Sequence, residues 1–175
     1  MKTYLLAVAV GVALGATVPA CAQSAGAFLH TIVLVDSTGN VAARPLDDTT
    51  MLITVSPGVV APAFIRPIYD ADERTASGMA TWASGGSVLF TSADCSTGAH
   101  VHTLGNAGLR ASSQVETPGG TVLYVGAIGT PVTVTVHSIL YATGCSAVTV
   151  QQKGCVPVVA AVNLTTAYPP PLSFQ

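Results

Sequence analysis

The sequence predicts one all-β domain, folded as a single antiparallel sandwich or barrel-like sheet after a cleaved signal peptide. Short runs rich in Val, Ile, Thr and aromatic residues recur along the chain, and this composition favours strands. Gly, Pro, Asn and Asp separate the runs and mark turns. Beyond the first segment, no apolar pattern of helical period is long enough to predict a helix.

The predicted strands follow from apolar runs and alternating patterns. The runs at 27–36 and 41–46 flank a turn that contains Gly39, which predicts a first hairpin. The run at 132–137 alternates Val with Thr and predicts the clearest half-buried strand. The other predicted strands are 51–55, 79–83, 87–91, 99–104, a weak one at 109–113, 121–128, 147–151 and 156–162.

Two further hairpins are predicted from their turns. Gly85 and Gly86 form a tight turn between 79–83 and 87–91, which would place Trp82 and Phe90 on facing strands. Residues 152–154 form the turn of a last hairpin, between 147–151 and 156–162.

Prolines predict two departures from regular sheet. Pro57, Pro62 and Pro67 each remove a backbone donor, which predicts an edge strand or loop in that region. The triple proline at 169–171 predicts an extended Pro-rich tail over 167–175.

The first 22 residues have the features of a signal peptide. A charged start precedes an apolar run, and a small-x-small site ends at Ala22. We expect cleavage there, which leaves 23–175 as one exported domain, periplasmic or extracellular. A lipid anchor on Cys21 is the alternative, and Pro19 fits it poorly. No later apolar run is long enough to span a membrane.

Charge is scarce, which limits the classes of partner. Only 8% of the residues are charged, against a usual fraction of about 25%. Residues 23–175 carry eight acidic and five basic side chains, for a net charge of −3. This balance argues against nucleic acid as a partner. Weak charge repulsion favours self-association, and a cell-surface or glycan partner is the other expectation.

Three cysteines follow the predicted cleavage site, and export favours a disulfide among them. Cys145 with Cys155 would close a short loop, worth about 3 kcal/mol, and Cys95 with either would be worth about 4 kcal/mol. These free energies are too similar to distinguish the pairings, and the short sequence separation favours Cys145–Cys155 only weakly.

The histidines suggest a candidate metal site. His100 and His102 alternate on a predicted strand and so share a face. With His137 or His30 from another strand they could form a three-histidine site, although polar residues on an exposed strand are the simpler interpretation. We predict no cofactor.

Other chemistry has weaker support. Trp82 could stack on a sugar if exposed, whereas a core position is the simpler interpretation. Cys95 near the histidines could be a nucleophile, but a disulfide half is expected instead. Asp70, Asp72 and Glu73 could bind calcium, although the full calcium-loop spacing is absent.

Three short segments resemble a loose group of uncharacterised exported bacterial proteins. These are the D-x-x-G turn at 36–39, the central segment FTSADCSTG at 90–98, and the end PPLSF at 170–174. Similar segments follow collagen-like repeats in some surface proteins. The chain departs from the group by the inserted Thr97 and by its third cysteine. The resemblance implies export, an all-β fold and a disulfide that involves Cys95.

The function that these observations favour is an exported, non-catalytic structural or adhesive β domain. The sequence contains no G-x-S-x-G, H-E-x-x-H or phosphate-loop motif. A glycan- or metal-binding module is the first alternative, and a secreted hydrolase with an unrecognised site is the second.

Overall fold

The fold is known from a computed structural model that describes residues 32–71, 76–103 and 109–175. The predicted signal peptide, His30, Asp72 and Glu73 lie outside these ranges. The described chain is built of antiparallel strands, so the predicted all-β class is confirmed. In the described ranges, no helix combines the length and hydropathy needed to cross a membrane.

Six strands close into a barrel. Their order around it is β1-β12-β5-β4-β3-β2, with every pair antiparallel. The predicted first hairpin is confirmed as β1 with β2. The six strands are β1 (Leu34–Val35), β2 (Val41–Pro45), β3 (Thr50–Ser56), β4 (Val59–Tyr69), β5 (Ala76–Trp82) and β12 (Leu172–Phe174).

The other six strands form a second sheet in the order β10-β6-β7-β11-β9-β8. β10 pairs with β11 as well as with β6, so β10, β6, β7 and β11 make a closed circuit. These strands are β6 (Val88–Phe90), β7 (Ala99–His102), β8 (Ser112–Thr117), β9 (Gly120–Gly126), β10 (Val132–Tyr141) and β11 (Gly144–Asn163).

The barrel interior and the second sheet share one large apolar core. Met51, Ile53 and Leu172 fill the barrel, and Leu123 of β9 packs in the same cluster. A single turn of helix, α1 (Leu164–Ala167), follows β11, and its first residue is buried there too. The Asn163 side chain accepts a hydrogen bond from the Thr166 N–H at 3.0 Å and caps this turn.

The predicted hairpin between 79–83 and 87–91 is wrong. β5 belongs to the barrel, where it pairs with β4 and β12, whereas β6 pairs with β10 and β7 in the other sheet. Residues 83–87 therefore connect the two sheets instead of turning one strand back on the other. Trp82 and Phe90 lie in different apolar clusters as a result.

The predicted last hairpin is also wrong, because β11 runs unbroken through residues 152–154. Its first part pairs with β10 and its last part pairs with β9. Gly154 has a φ of +73° at a shift in register, which is the geometry of a bulge. The Gln-Lys-Gly sequence therefore marks a change of partner along one strand.

Pro62 and Pro67 lie inside β4, in the wall of the barrel, and not in an edge strand or loop. The first half of β4 pairs with β3 and the second half with β5. Each half thus leaves one edge without a neighbouring strand, and a proline can occupy such an edge without losing a ladder bond.

The tail predicted to be extended over 167–175 begins with Ala167, the last residue of α1, bends at residues 168 and 170, and ends as the strand that closes the barrel. β12 pairs with β1 on one side and β5 on the other, and Leu172 is fully buried.

Candidate binding cleft

A cleft of about 890 Å³ opens between the barrel and the second sheet. Ligand sites for small molecules commonly have this size. Its wall combines β4, the connector 83–87, the end of β7, and β8 with the segment before it. Residues 127–129, which follow β9, and single residues of β10 and β11 complete the described wall. The described lining residues include Phe64, His102, Arg110, Ser112, Ser113, Gln114 and Tyr141.

Gln114 joins the two sheets beneath the cleft. Its side chain is 1% exposed. The Oε1 atom accepts the Phe64 N–H at 2.7 Å, and Nε2 donates to the Phe64 carbonyl at 2.9 Å and to the Ala83 carbonyl. The amide therefore takes the place of a neighbouring strand along the free edge of β4. It fixes the backbone of Phe64, whose ring is 38% exposed on the cleft wall.

Two serines of β8 complete this attachment. Ser112 Oγ donates to the Pro62 carbonyl at 2.7 Å, and Ser113 Oγ donates to the Ser87 carbonyl at 2.8 Å. Because each hydroxyl donates its hydrogen bond to a backbone carbonyl, it can act only as a hydrogen-bond acceptor towards a ligand. Gly86 is required beside them, since a Cβ there would lie 2.1 Å from Ser113 Oγ.

The charged side chain on the described wall is Arg110. His102 also lines the cleft, and none of the described lining residues is acidic. Arg110 Nη1 donates to the Gly126 carbonyl at 3.4 Å, which leaves the other guanidinium donors available. The wall thus offers one guanidinium, hydroxyl acceptors and apolar surface. Such a mixture suits a polar or anionic organic molecule.

The three candidate metal ligands are not brought together. His102 lies at the cleft with Nδ1 3.9 Å from Cys155 Sγ, and His100 Nδ1 lies 2.8 Å from the Gly98 carbonyl. His137 is exposed on β10. Among the described residues, no three His, Cys, Asp or Glu side chains form a group that could hold a metal ion.

Trp82 is a core residue and not a sugar platform. It is 4% exposed, its Nε1 donates to the Tyr168 carbonyl at 2.9 Å, and its ring centroid lies 6.5 Å from that of Tyr168. Of the other polar candidates, Asp70 is exposed at the end of β4.

The disulfide joins Cys95 to Cys145, and Cys155 is free. The pairing includes Cys95, as the resemblance implies, and excludes the shorter bridge that locality favoured. Cys95 packs with Val88 and Phe90, whereas Cys155 packs with Leu89. Because successive residues of β6 point to opposite faces, the free thiol lies on the face opposite the disulfide.

Cys155 next to His102 is not an activated nucleophile. Burial raises the pKa of the Cys155 thiol, so the neutral form is favoured. The thiol itself is fully buried. Cys155 is therefore part of the core packing beneath His102, which lies on the cleft wall.

The turn that carries Cys95 is held by Ser138. Ser138 Oγ accepts the Cys95 N–H at 2.9 Å and donates to the Ser92 carbonyl at 2.6 Å. Cys95 has a φ of +57°, which costs a non-glycine residue about 1–2 kcal/mol. The disulfide and Ser138 together maintain this conformation.

Comparisons of the chain with protein-family models, with curated proteins and with solved structures found no match.

Proposed function

We propose that this protein is an exported, non-catalytic adhesive β domain that holds a sugar residue of a surface glycan in the cleft. The observation that carries the proposal is the half-exposed ring of Phe64, fixed by Gln114 in a cleft of about 890 Å³ that also contains Arg110. Rigid aromatic faces pack on sugar rings, while hydroxyl and guanidinium groups meet sugar hydroxyls and carboxylates.

A non-catalytic role agrees with the chemistry of the described wall. Glycoside hydrolysis uses a pair of carboxyl groups, and the described lining residues supply none. Nucleophilic catalysis needs a hydroxyl or thiol whose proton is taken by a base. The protons of Ser112 and Ser113 are held by backbone carbonyls instead.

Export is supported by the signal-like segment 1–22 and by the disulfide. A structural bridge such as Cys95–Cys145 persists in oxidising compartments. The resemblance to exported proteins, some of them attached to collagen-like surface proteins, points in the same direction. A cell-surface glycan is the kind of ligand that a domain in this location meets.

A glycan array tests the proposal. The labelled wild-type protein is applied beside three variants, Phe64→Ala, Arg110→Ala and Phe174→Ala. Phe174 is the matched control because it is 43% exposed and lies outside the described lining of the cleft. We expect wild type and Phe174→Ala to bind the same glycans, and the two cleft variants to lose at least about tenfold in affinity, the loss of one good contact.

Circular dichroism of each variant shows whether the fold is retained. A silent array with folded wild-type protein would overturn the proposal, as would equal binding by Phe64→Ala. Loss of binding in Arg110→Ala restricted to sialylated or uronic-acid glycans would assign the guanidinium to the sugar carboxylate.

A further inference from the structure

The β10 strand has an edge that its own chain leaves open. All of β10 pairs with β11, but β6 reaches only Ser138–Leu140 on the other side. In the described part of the chain, no strand pairs with the second edge of residues 132–137. Unpaired edges of this kind are templates for another strand.

Two other edges of the fold are occupied. The Gln114 amide bonds the Phe64 backbone along the free edge of β4 in the barrel wall. The outer edge of β8 is capped by the connector, because the Gly85 and Gly86 N–H groups both donate to the Gln114 carbonyl, at 3.3 and 3.1 Å. Ser84 Oγ accepts the Glu116 N–H at 3.0 Å on the same edge. In the described part of the chain, residues 144–154 of β11 also lack a strand on the side away from β10, but they include Lys153, a residue type that discourages edge pairing.

The sequence of the open edge has none of the usual protection. Residues 132–136 read Val-Thr-Val-Thr-Val, without the Lys, Pro or inward-pointing charge that commonly prevents edge pairing. Val132 is 48% exposed, and Thr133 and Thr135 are exposed. High β-propensity without charge is the composition of segments that pair with other strands.

The same five residues read identically in both directions. In an antiparallel pair of two copies centred on Val134, Val132 of one copy faces the partner's Val136, and Thr133 faces the partner's Thr135. Each cross-strand contact is then Val with Val or Thr with Thr, and such pairs are favourable. A two-fold contact requires this kind of self-complementarity.

We propose that two copies of this chain pair antiparallel through the open edge of β10, with the two-fold axis at Val134. The pairing joins two second sheets into one continuous sheet across the dimer. The contact is short, so the dimer belongs with small, concentration-dependent interfaces. It does not depend on any ligand in the cleft.

Analytical ultracentrifugation of the purified, disulfide-intact protein tests the association. We expect a monomer–dimer equilibrium for wild type. The exposed double variant Thr133→Lys/Thr135→Lys places like charges opposite each other in the pair, and we expect it to weaken the dimer at least about tenfold. The control Thr149→Lys/Gln151→Lys adds the same charge to exposed positions of β11 and is expected to dimerise like wild type.

A cysteine pair tests the register. In Val134→Cys the new thiols of two copies face each other at the axis, at a Cα separation of about 4.5–5.5 Å that allows a disulfide. In Val132→Cys the two thiols are four residues apart along the pair, roughly 14 Å. We expect mild oxidation to cross-link the first variant and not the second.

Three results would overturn the proposal. One is a wild-type protein that stays monomeric at every concentration up to about 1 mM, because a dissociation constant above that value is too weak to matter. Another is undiminished dimerisation of Thr133→Lys/Thr135→Lys. The third is cross-linking of Val132→Cys as fast as Val134→Cys, which would place the contact in another register.

Discussion

Changing Gln114 to Glu is the sharpest test of how the cleft is held open. The substitution keeps the size and shape of the side chain. The remaining Oε1 atom still accepts the Phe64 N–H, but an oxygen replaces the nitrogen that donates to the carbonyls of Phe64 and Ala83. At neutral pH both carbonyl oxygens face a carboxylate. The Phe64 carbonyl still accepts the Ala83 N–H at 2.9 Å, whereas the part-buried Ala83 carbonyl loses this donor.

The expected cost follows from these lost contacts. A buried polar group without a partner costs about 1–3 kcal/mol, so the Ala83 carbonyl gives roughly 2 kcal/mol of lost unfolding free energy. Burial and the two carbonyls raise the pKa of the new carboxyl group above its unfolded value. The folded variant is therefore least destabilised at low pH, where the acid is neutral, and loses stability as the pH rises.

Urea denaturation at pH 7 and at about pH 4.5 measures both effects. The matched control is Glu116→Gln, the reverse exchange at an exposed position two residues further along β8. Its expected change is within about 0.5 kcal/mol at both pH values. A loss below 1 kcal/mol in Gln114→Glu, or a loss that does not shrink on acidification, would refute the proposed role of the amide.

Three further predictions concern the disulfide, the free thiol and the floor of the cleft. Replacing Cys95 and Cys145 together by alanine should lower the unfolding free energy by about 4 kcal/mol, the chain-entropy value for a separation of 50 residues; a loss below 1 kcal/mol in urea titrations would contradict this. Cys155, buried and with a raised pKa, should resist a thiol-specific chromogenic reagent in the folded protein at pH 8 and react after denaturation, and immediate labelling would show an accessible thiol. Gly86→Ala should destabilise by about 2 kcal/mol because its Cβ meets a serine hydroxyl oxygen of β8, whereas Gly85→Ala, with open space around it, should change stability by less than 0.5 kcal/mol; equal melting temperatures for the two variants would count against the contact.

Local patterns were sufficient for the class of the fold and for most strand positions. The alternation of Val and Thr at the start of β10 gave the strand, and the turn at Gly39 gave the first hairpin, since both signals depend on neighbouring residues only. Patterns of this kind do not reveal which strand pairs with which. The connector 83–87 resembles a hairpin turn, and only the barrel, which takes β5 away from β6, makes it a crossover.

The cleft was not predictable from the sequence. Gln114 reads as an ordinary polar residue in a polar stretch, and its importance arises because the free edge of β4, 50 residues earlier, lies against it. Phe64 likewise reads as a core aromatic between two prolines. The one signal in the sequence was the presence of Pro62 and Pro67 in a strand-like run, because a proline cannot donate a hydrogen bond to a neighbouring strand. Such a run needs hydrogen-bond partners other than a regular β-ladder. Side chains of β8 are these partners for the backbone of Pro62 and Phe64.

The proposed dimer edge and the proposed ligand site share no described residue, and together they explain how a weak binding site can serve adhesion. Tyr141, the described lining residue on β10, lies five positions beyond Val136, roughly 17 Å along the strand. At the other end of the edge, the lining residue Gly129 precedes Val132 by three positions, and the second copy adds on the side of β10 that faces away from β11. Two clefts on one particle convert the second binding event into an intramolecular one, which raises avidity by about 10²–10⁴ when the glycans are suitably spaced. The double lysine variant should therefore keep its affinity for a soluble monovalent sugar and lose retention on a dense glycan surface, as surface plasmon resonance at high and low ligand density would show. Equal retention of wild type and variant on the dense surface would show that adhesion does not depend on dimerisation.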